Sequence, residues 1–236
     1  MATKPKPINL ALQGGGAHGA FTWGVLDRIL EDGRLAIAGV SGTSAGAMNA
    51  VALADGYTRG GPEGARAALD HFWHCMSEGA KNSPLKRTSY DKLTGYWGLD
   101  HSPMYHMMDA MTRLASPYQI NPMNMNPLRD LLEESIDFEM VRNCTAFKLY
   151  ISATNVQSGK VKVFPREELT ADMVMASACL PTMFQAVEID GVPYWDGGYM
   201  GNPALARPAA TISWSSRSTR SSARIPRRRR RISRTE

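Results

Sequence analysis

The sequence predicts one α/β domain over residues 8–203, followed by an Arg/Ser-rich tail over residues 204–236 that is expected to lack order. Two apolar runs carry the prediction: "INLAL" and "LAIAGVS" each pass through a glycine-rich turn into a segment of helical period. A third observation is length. A chain of 236 residues is long enough to bury one good core, and its body shows no internal repeat.

Taken in order, "INLAL" reads as a short buried strand. The helix after it, over about 20–31, places Phe21, Val25, Leu26, Ile29 and Leu30 on one face. "LAIAGVS" is a second buried strand, and "GTSAGAMNAVALADG" turns sharply into a second helix. Gly60-Gly61-Pro62 breaks the chain before a further helix over about 63–78. From 81 to 126 the pattern loosens, with Met104, Met107, Met108 and Met111 at helical spacing. "FKLYISATNV" and "KVKVF", joined around Gln157-Ser158-Gly159, read as a strand pair, and "LTADMVMASACL" as a helix stopped at Pro181. "AVEIDGVPYWDGG" reads as a hairpin turning at Asp190-Gly191.

The net charge of +5 is unevenly placed. Ten of the 27 basic residues and one of the 22 acidic ones fall in residues 204–236, a net of +9, so residues 1–203 carry −4. The body is therefore no nucleic-acid binder by charge. Nucleic acid is expected as a partner only non-specifically, through the tail, whose Arg227–Arg231 run would hold any polyanion or anionic membrane. The tail starts abruptly and has low complexity and no amphipathic period, which reads as a frameshifted or truncated product. Cys75, Cys144 and Cys179 are an odd set without metal-ligand spacing, as in a reducing compartment. "MATKPKPINL" lacks the apolar stretch of a signal peptide, and no run approaches 18 apolar residues. The expectation is a soluble, cytoplasmic protein able to touch membranes peripherally.

Chemistry concentrates in three places. Gly14, Gly16 and Gly19 spell G-x-G-x-x-G, which suits a dinucleotide phosphate. A Rossmann unit, however, wants an acidic residue about 20 positions on, at the end of the second strand, and "LAIAGVS" has none. That strand ends instead in Gly42-Thr43-Ser44-Ala45-Gly46, a G-x-S-x-G in strand–turn–helix context. A nucleophile on such a turn has strained backbone angles, and small residues two before and two after keep side chains from colliding. Its competing reading is a turn with a helix-capping serine.

A serine nucleophile needs a base. His18, His71, His74, His101 and His106 all precede the late acid Asp196, so a Ser–acid–His order cannot be completed in this chain. A carboxylate acting directly on the serine is the remaining route, and Asp196, in Asp196-Gly197-Gly198, is the candidate; otherwise it is an ordinary Asp-Gly turn.

"GGGAHG", "GTSAG" and "DGG" in this order, with "SACLPTMF" and "VEIDGVPYWDGGYMGNP" between and after them, resemble the patatin-like phospholipase family over about residues 8–203. The resemblance implies a three-layer α/β/α sandwich with a mostly parallel central sheet. It also implies hydrolysis of lipid acyl esters, with Ser44 as nucleophile, Asp196 as base and the amides of Gly14, Gly15 and Gly16 as the oxyanion hole; Gly19, Gly42, Gly46, Gly197 and Gly198 support these motifs. The partner implied is a lipid or acyl-ester substrate, and no cofactor or metal is expected. The family commonly has Lys or Arg where this chain has His18. Two alternatives stand beside this reading: an inactive member that binds anionic membrane or polymers through its tail, and an acyl transferase using the same serine. His71-x-x-His74-Cys75 is expected to be a core-facing helix rather than a metal site, and the methionines either a lipid-facing lid or core filling.

Overall fold

The computed structural model describes residues 4–81, 88–95, 98, 101–202 and 213–214. Its strands are β1 (Lys6–Leu12), β2 (Leu35–Gly42), β3 (Lys148–Asn155), β4 (Lys160–Pro165), β5 (Val187–Ile189), β6 (Val192–Asp196) and β7 (Ser213–Trp214). The helices are α1 (Gly19–Asp32), α2 (Ala45–Lys81), α3 (Ser89–Thr94), α4 (Pro103–Leu114), α5 (Pro117–Ile120), α6 (Pro127–Ser135), α7 (Phe138–Asn143) and α8 (Ala171–Ser177). Helices flank one central sheet, as the α/β expectation holds. β1, β2, β3 and β7 pair in parallel, while β4, β5 and β6 join antiparallel, so the sheet is mixed.

The register of β3 positions the site. Tyr150 and Ile151 pair with β4 on one side and with Ser41 and Gly42 of β2 on the other. Ala153 pairs with Lys162 of β4 and with Asp196 of β6. β4 therefore lies along one edge of β3 from Tyr150 to Asn155, and β2 and β6 share the opposite edge, meeting end to end.

The core lies between the sheet and α2. Residues 45–56 of α2 are all buried, and their small side chains let the helix approach the strands closely. The expected break at Gly60-Gly61-Pro62 is present as a kink: Gly60 and Gly61 leave helical backbone angles, with Gly61 at φ 60°. Beyond the kink Leu69, Phe72 and Trp73 return to the core. His71 and His74 face solvent, so the core-facing role expected for this segment belongs to those neighbours and not to the imidazoles. On α1 the core face is Leu26 and Leu30 with Trp23 packed beside them. Phe21 and Val25, expected on that face, are exposed because the stripe runs through 23, 26 and 30.

The methionine segment forms α4 without a single buried residue, and Met107 and Met111 are exposed, which removes core filling as its role. Among the described residues no helix is long and apolar enough to cross a membrane. Within the Arg/Ser-rich segment, Ser213–Trp214 adds β7 parallel to β1 at Asn9 and Leu10, an element its composition does not announce. The Arg227–Arg231 run lies outside the described residues.

Candidate active site

Three chain segments converge at the carboxyl end of β2. First is the turn from β2 into α2. Ser44 has φ 55°, in the left-handed region that a non-glycine residue enters only where its surroundings enforce it. Four bonds do so. The Thr43 amide donates to Leu12 O (3.2 Å), the Ser44 amide to Ser177 Oγ of α8 (2.8 Å), the Gly46 amide to Thr43 O (2.9 Å) and the Ala47 amide to Ser44 O (2.8 Å). Thr43 Oγ1 and Ser152 Oγ, both buried, lie 2.7 Å apart. The glycine two residues after the serine has a steric reason: a Cβ on Gly46 would stand 2.1 Å from Leu12 O. Gly42 is hemmed in the same way by the first turn of α2.

Second is the loop between β1 and α1. Gly14 lies directly against the serine, since a Cβ there would be 2.8 Å from Ser44 Cβ. Gly15 and Gly16 are exposed, and Gly16 has φ 56°. A single turn of 3-10 helix, Gly16–His18, leads into α1. His18 is exposed, its Nδ1 3.0 Å from Gly15 O. The loop's far end is fixed by a buried carboxamide. Asn49 Nδ2 donates to Gly19 O (3.0 Å) and Ala45 O (3.1 Å), while its Oδ1 accepts from Trp73 Nε1 (2.9 Å). The Trp73 ring fills the space against Gly19.

Third is the end of β6. The Asp196 carboxylate is buried, and its main chain is held on both sides: its amide donates to Cys179 O (2.8 Å) and its carbonyl accepts from Thr154 Oγ1 (2.8 Å). Oδ1 accepts from the Gly198 amide at 2.7 Å. Gly197 packs against Ser152 of β3. Burial pushes the Asp196 pKa above the ordinary carboxylate value; the Gly198 amide and a hydrogen bond from the Ser44 side chain pull the other way without cancelling it.

All ten glycine, serine and aspartate positions singled out from the sequence thus fall within this convergence. The roles within it are less uniform. The Gly14 amide is already engaged, donating to Asn202 Oδ1 at 2.7 Å, which leaves Gly15 and Gly16, both exposed residues, as the remaining glycines of the three. Two residues at the site belong to none of the sequence motifs. Ser177, fully buried, accepts the Ser44 amide, and Asn202 grips Gly14. The only signal for Asn202 was its place in "YMGNP", directly after the "DGG" motif. Among the described residues no group of three or more His, Cys, Asp or Glu could hold a metal ion.

Comparison with known proteins agrees with the motif order. No curated protein sequence matches the chain. Among solved structures, VipD from Legionella pneumophila aligns with a TM-score of 0.44 at 19% identity, covering 87% of this chain and 49% of that one. The chain thus spans about half the length of that protein. The profile of the family described as patatin-like phospholipase matches residues 10–208, most of the chain and every motif of the site, and on that match the chain belongs to the patatin-like phospholipase family.

Proposed function

We propose that this protein is a serine acyl hydrolase that cleaves lipid acyl esters through Ser44 and Asp196. The observation that carries the reading is the strained backbone of Ser44 held beside a buried carboxylate of raised pKa. Strain of this kind costs on the order of 1–3 kcal/mol and persists where the surroundings over-determine it, most often at sites of chemistry.

Each step follows from the residues. Asp196 accepts the Ser44 proton as Oγ attacks the ester carbonyl, and the carbonyl electrons move onto oxygen. The Gly15 and Gly16 amides donate to that oxyanion; one such donor is worth about 3–4 kcal/mol in comparable sites. Collapse expels the alcohol, which takes the proton from Asp196 and leaves an acyl-serine. Water then attacks with Asp196 again as base, releasing the fatty acid and restoring the hydroxyl. A carboxylate of ordinary pKa is a weak base, and burial moves Asp196 toward the required range.

Exposed apolar side chains support a lipid as substrate. Phe21 follows the glycine loop, Leu180 and Met183 follow the Cys179 that bonds Asp196, and Tyr199 and Met200 follow Gly198. Exposed apolar side chains on the segments that carry the site are suited to acyl chains and to peripheral contact with a lipid surface. Hydrolysis of nitrophenyl esters of graded chain length, by the parent and by Ser44→Ala, tests the reading. Turnover that rises with chain length and vanishes in the variant supports it, and equal turnover in both refutes it.

A further inference from the structure

The geometry points to Asn202 as a positioning residue that holds the glycine loop in its anion-binding shape. Its carboxamide makes two bonds to one residue of the loop: Oδ1 accepts from the Gly14 amide at 2.7 Å, and Nδ2 donates to Gly14 O at 3.3 Å. Gly14 is also the loop residue in contact with Ser44. Asn202 follows the turn at Gly197–Tyr199 that begins on Asp196, and its Cβ lies 3.9 Å from where a Gly198 Cβ would be. One side chain therefore ties the segment carrying the carboxylate to the loop carrying the amides, at the point nearest the serine.

The consequence is a division of labour among three consecutive glycines. Gly14 is clamped, with donor and acceptor both satisfied inside the protein, and cannot donate to a substrate oxygen while Asn202 holds it. Gly15 and Gly16 project from that fixed point. Their direction depends on Gly14, because a loop of residues without side chains has no packing of its own to hold it. The carboxamide supplies the missing constraint. It suits the task because it offers acceptor and donor together, matching a backbone N–H and C=O on one residue.

In its catalytic consequence this inference rests on the acyl-hydrolase reading, so the test includes a measurement independent of activity. Asn202→Ala is compared with the parent by steady-state kinetics on a nitrophenyl ester and by amide hydrogen exchange over residues 12–19. Misplacing oxyanion donors by about an ångström costs on the order of a hundredfold, and that is the expected fall in kcat, with KM held within about threefold. The Gly14 amide should exchange at least about tenfold faster once its acceptor is gone. Asn202→Asp keeps the acceptor and loses the donor. Measured on the plateau of the pH profile, it should keep Gly14 protected and recover kcat to within about tenfold of the parent.

Unchanged kcat or unchanged Gly14 exchange in Asn202→Ala overturns the inference. If that variant does not fold, an Asn202→Asp protein that keeps Gly14 protected but still loses a hundredfold in kcat overturns it instead. Equal turnover in the parent and Ser44→Ala would remove the proposed chemistry while leaving the exchange result to judge the clamp.

Discussion

Gly42 and Asp196 lie on the same edge of β3, paired with Ile151 and Ala153 respectively, two residues apart. β2 runs parallel to β3 and stops at Gly42; β6 runs antiparallel and stops at Asp196. The two strands point at each other, and the turns that leave them carry the serine and the carboxylate. Backbone pairing along one strand thus sets the separation of the two groups. It is a rigid way to hold a pair of side chains, because a register slip would turn each to the other face of the sheet.

Removing the serine should cost activity and restore stability. Ser44→Gly relieves the left-handed backbone, so urea unfolding should show a gain of about 1 kcal/mol over the parent. Ester hydrolysis should disappear in the same protein. A variant less stable than the parent would show that the turn is not strained.

Asp196 gives a signed pH dependence. Burial raises its pKa, so the fold favours the protonated form. That contribution to stability is complete below the ordinary carboxylate value of 3.8 and is lost as pH rises through the raised folded value. Asp196→Asn has no proton to lose and its Oδ1 still accepts from Gly198. It should therefore unfold at a higher Tm than the parent at pH 7, by about 2–4 °C for each kcal/mol regained. Catalysis has the opposite sign, since the base must be ionised. The parent's kcat/KM should fall on acidification with a midpoint above 3.8, and Asp196→Asn should be inactive throughout.

Ser177 should matter through Ser44. Ser177→Ala leaves the half-buried Ser44 amide without its acceptor, at a cost of about 1–3 kcal/mol. Chemical denaturation reads that loss, and kcat should fall with it, because the same bond holds the strained turn.

Asn49 ties the far end of the glycine loop to Trp73. Asn49→Leu removes a carboxamide with partners on both sides and leaves the buried Trp73 indole N–H without its acceptor. A loss of about 1–3 kcal/mol is expected from the unsatisfied indole N–H, measured by urea unfolding. No loss would mean that water or a rearranged side chain satisfies it.

Much of this was legible in the sequence because the relevant signals are local. Apolar runs marked β1, β2 and β3, Gly60-Gly61-Pro62 marked the kink, and Asp190-Gly191 marked the β5–β6 turn. The glycines of "GTSAG" announced the strained turn because their reason is steric and short-range, as the Gly46–Leu12 approach shows. What stayed hidden is non-local. Nothing in "VPYWD" says that β6 shares an edge with β2, since register is fixed by pairing partners far along the chain. Asn202 and Ser177 act on residues 188 and 133 positions away, and an Asn before Pro or a Ser in a small-residue helix has no distinctive local pattern. The exposure of Phe21 and Val25 escapes the pattern for a different reason: helical spacing locates a stripe, but neighbouring elements decide which way it faces.

If Ser44 is the nucleophile, the acyl group can be trapped on it. The protein is mixed with a long-chain nitrophenyl ester, quenched in acid within the first turnover, and its peptides are analysed by mass spectrometry. One acyl group per chain is expected, on the peptide containing Ser44, formed with a burst of nitrophenol and absent from Ser44→Ala. An acyl group on another residue, or full turnover without one on Ser44, would contradict that role.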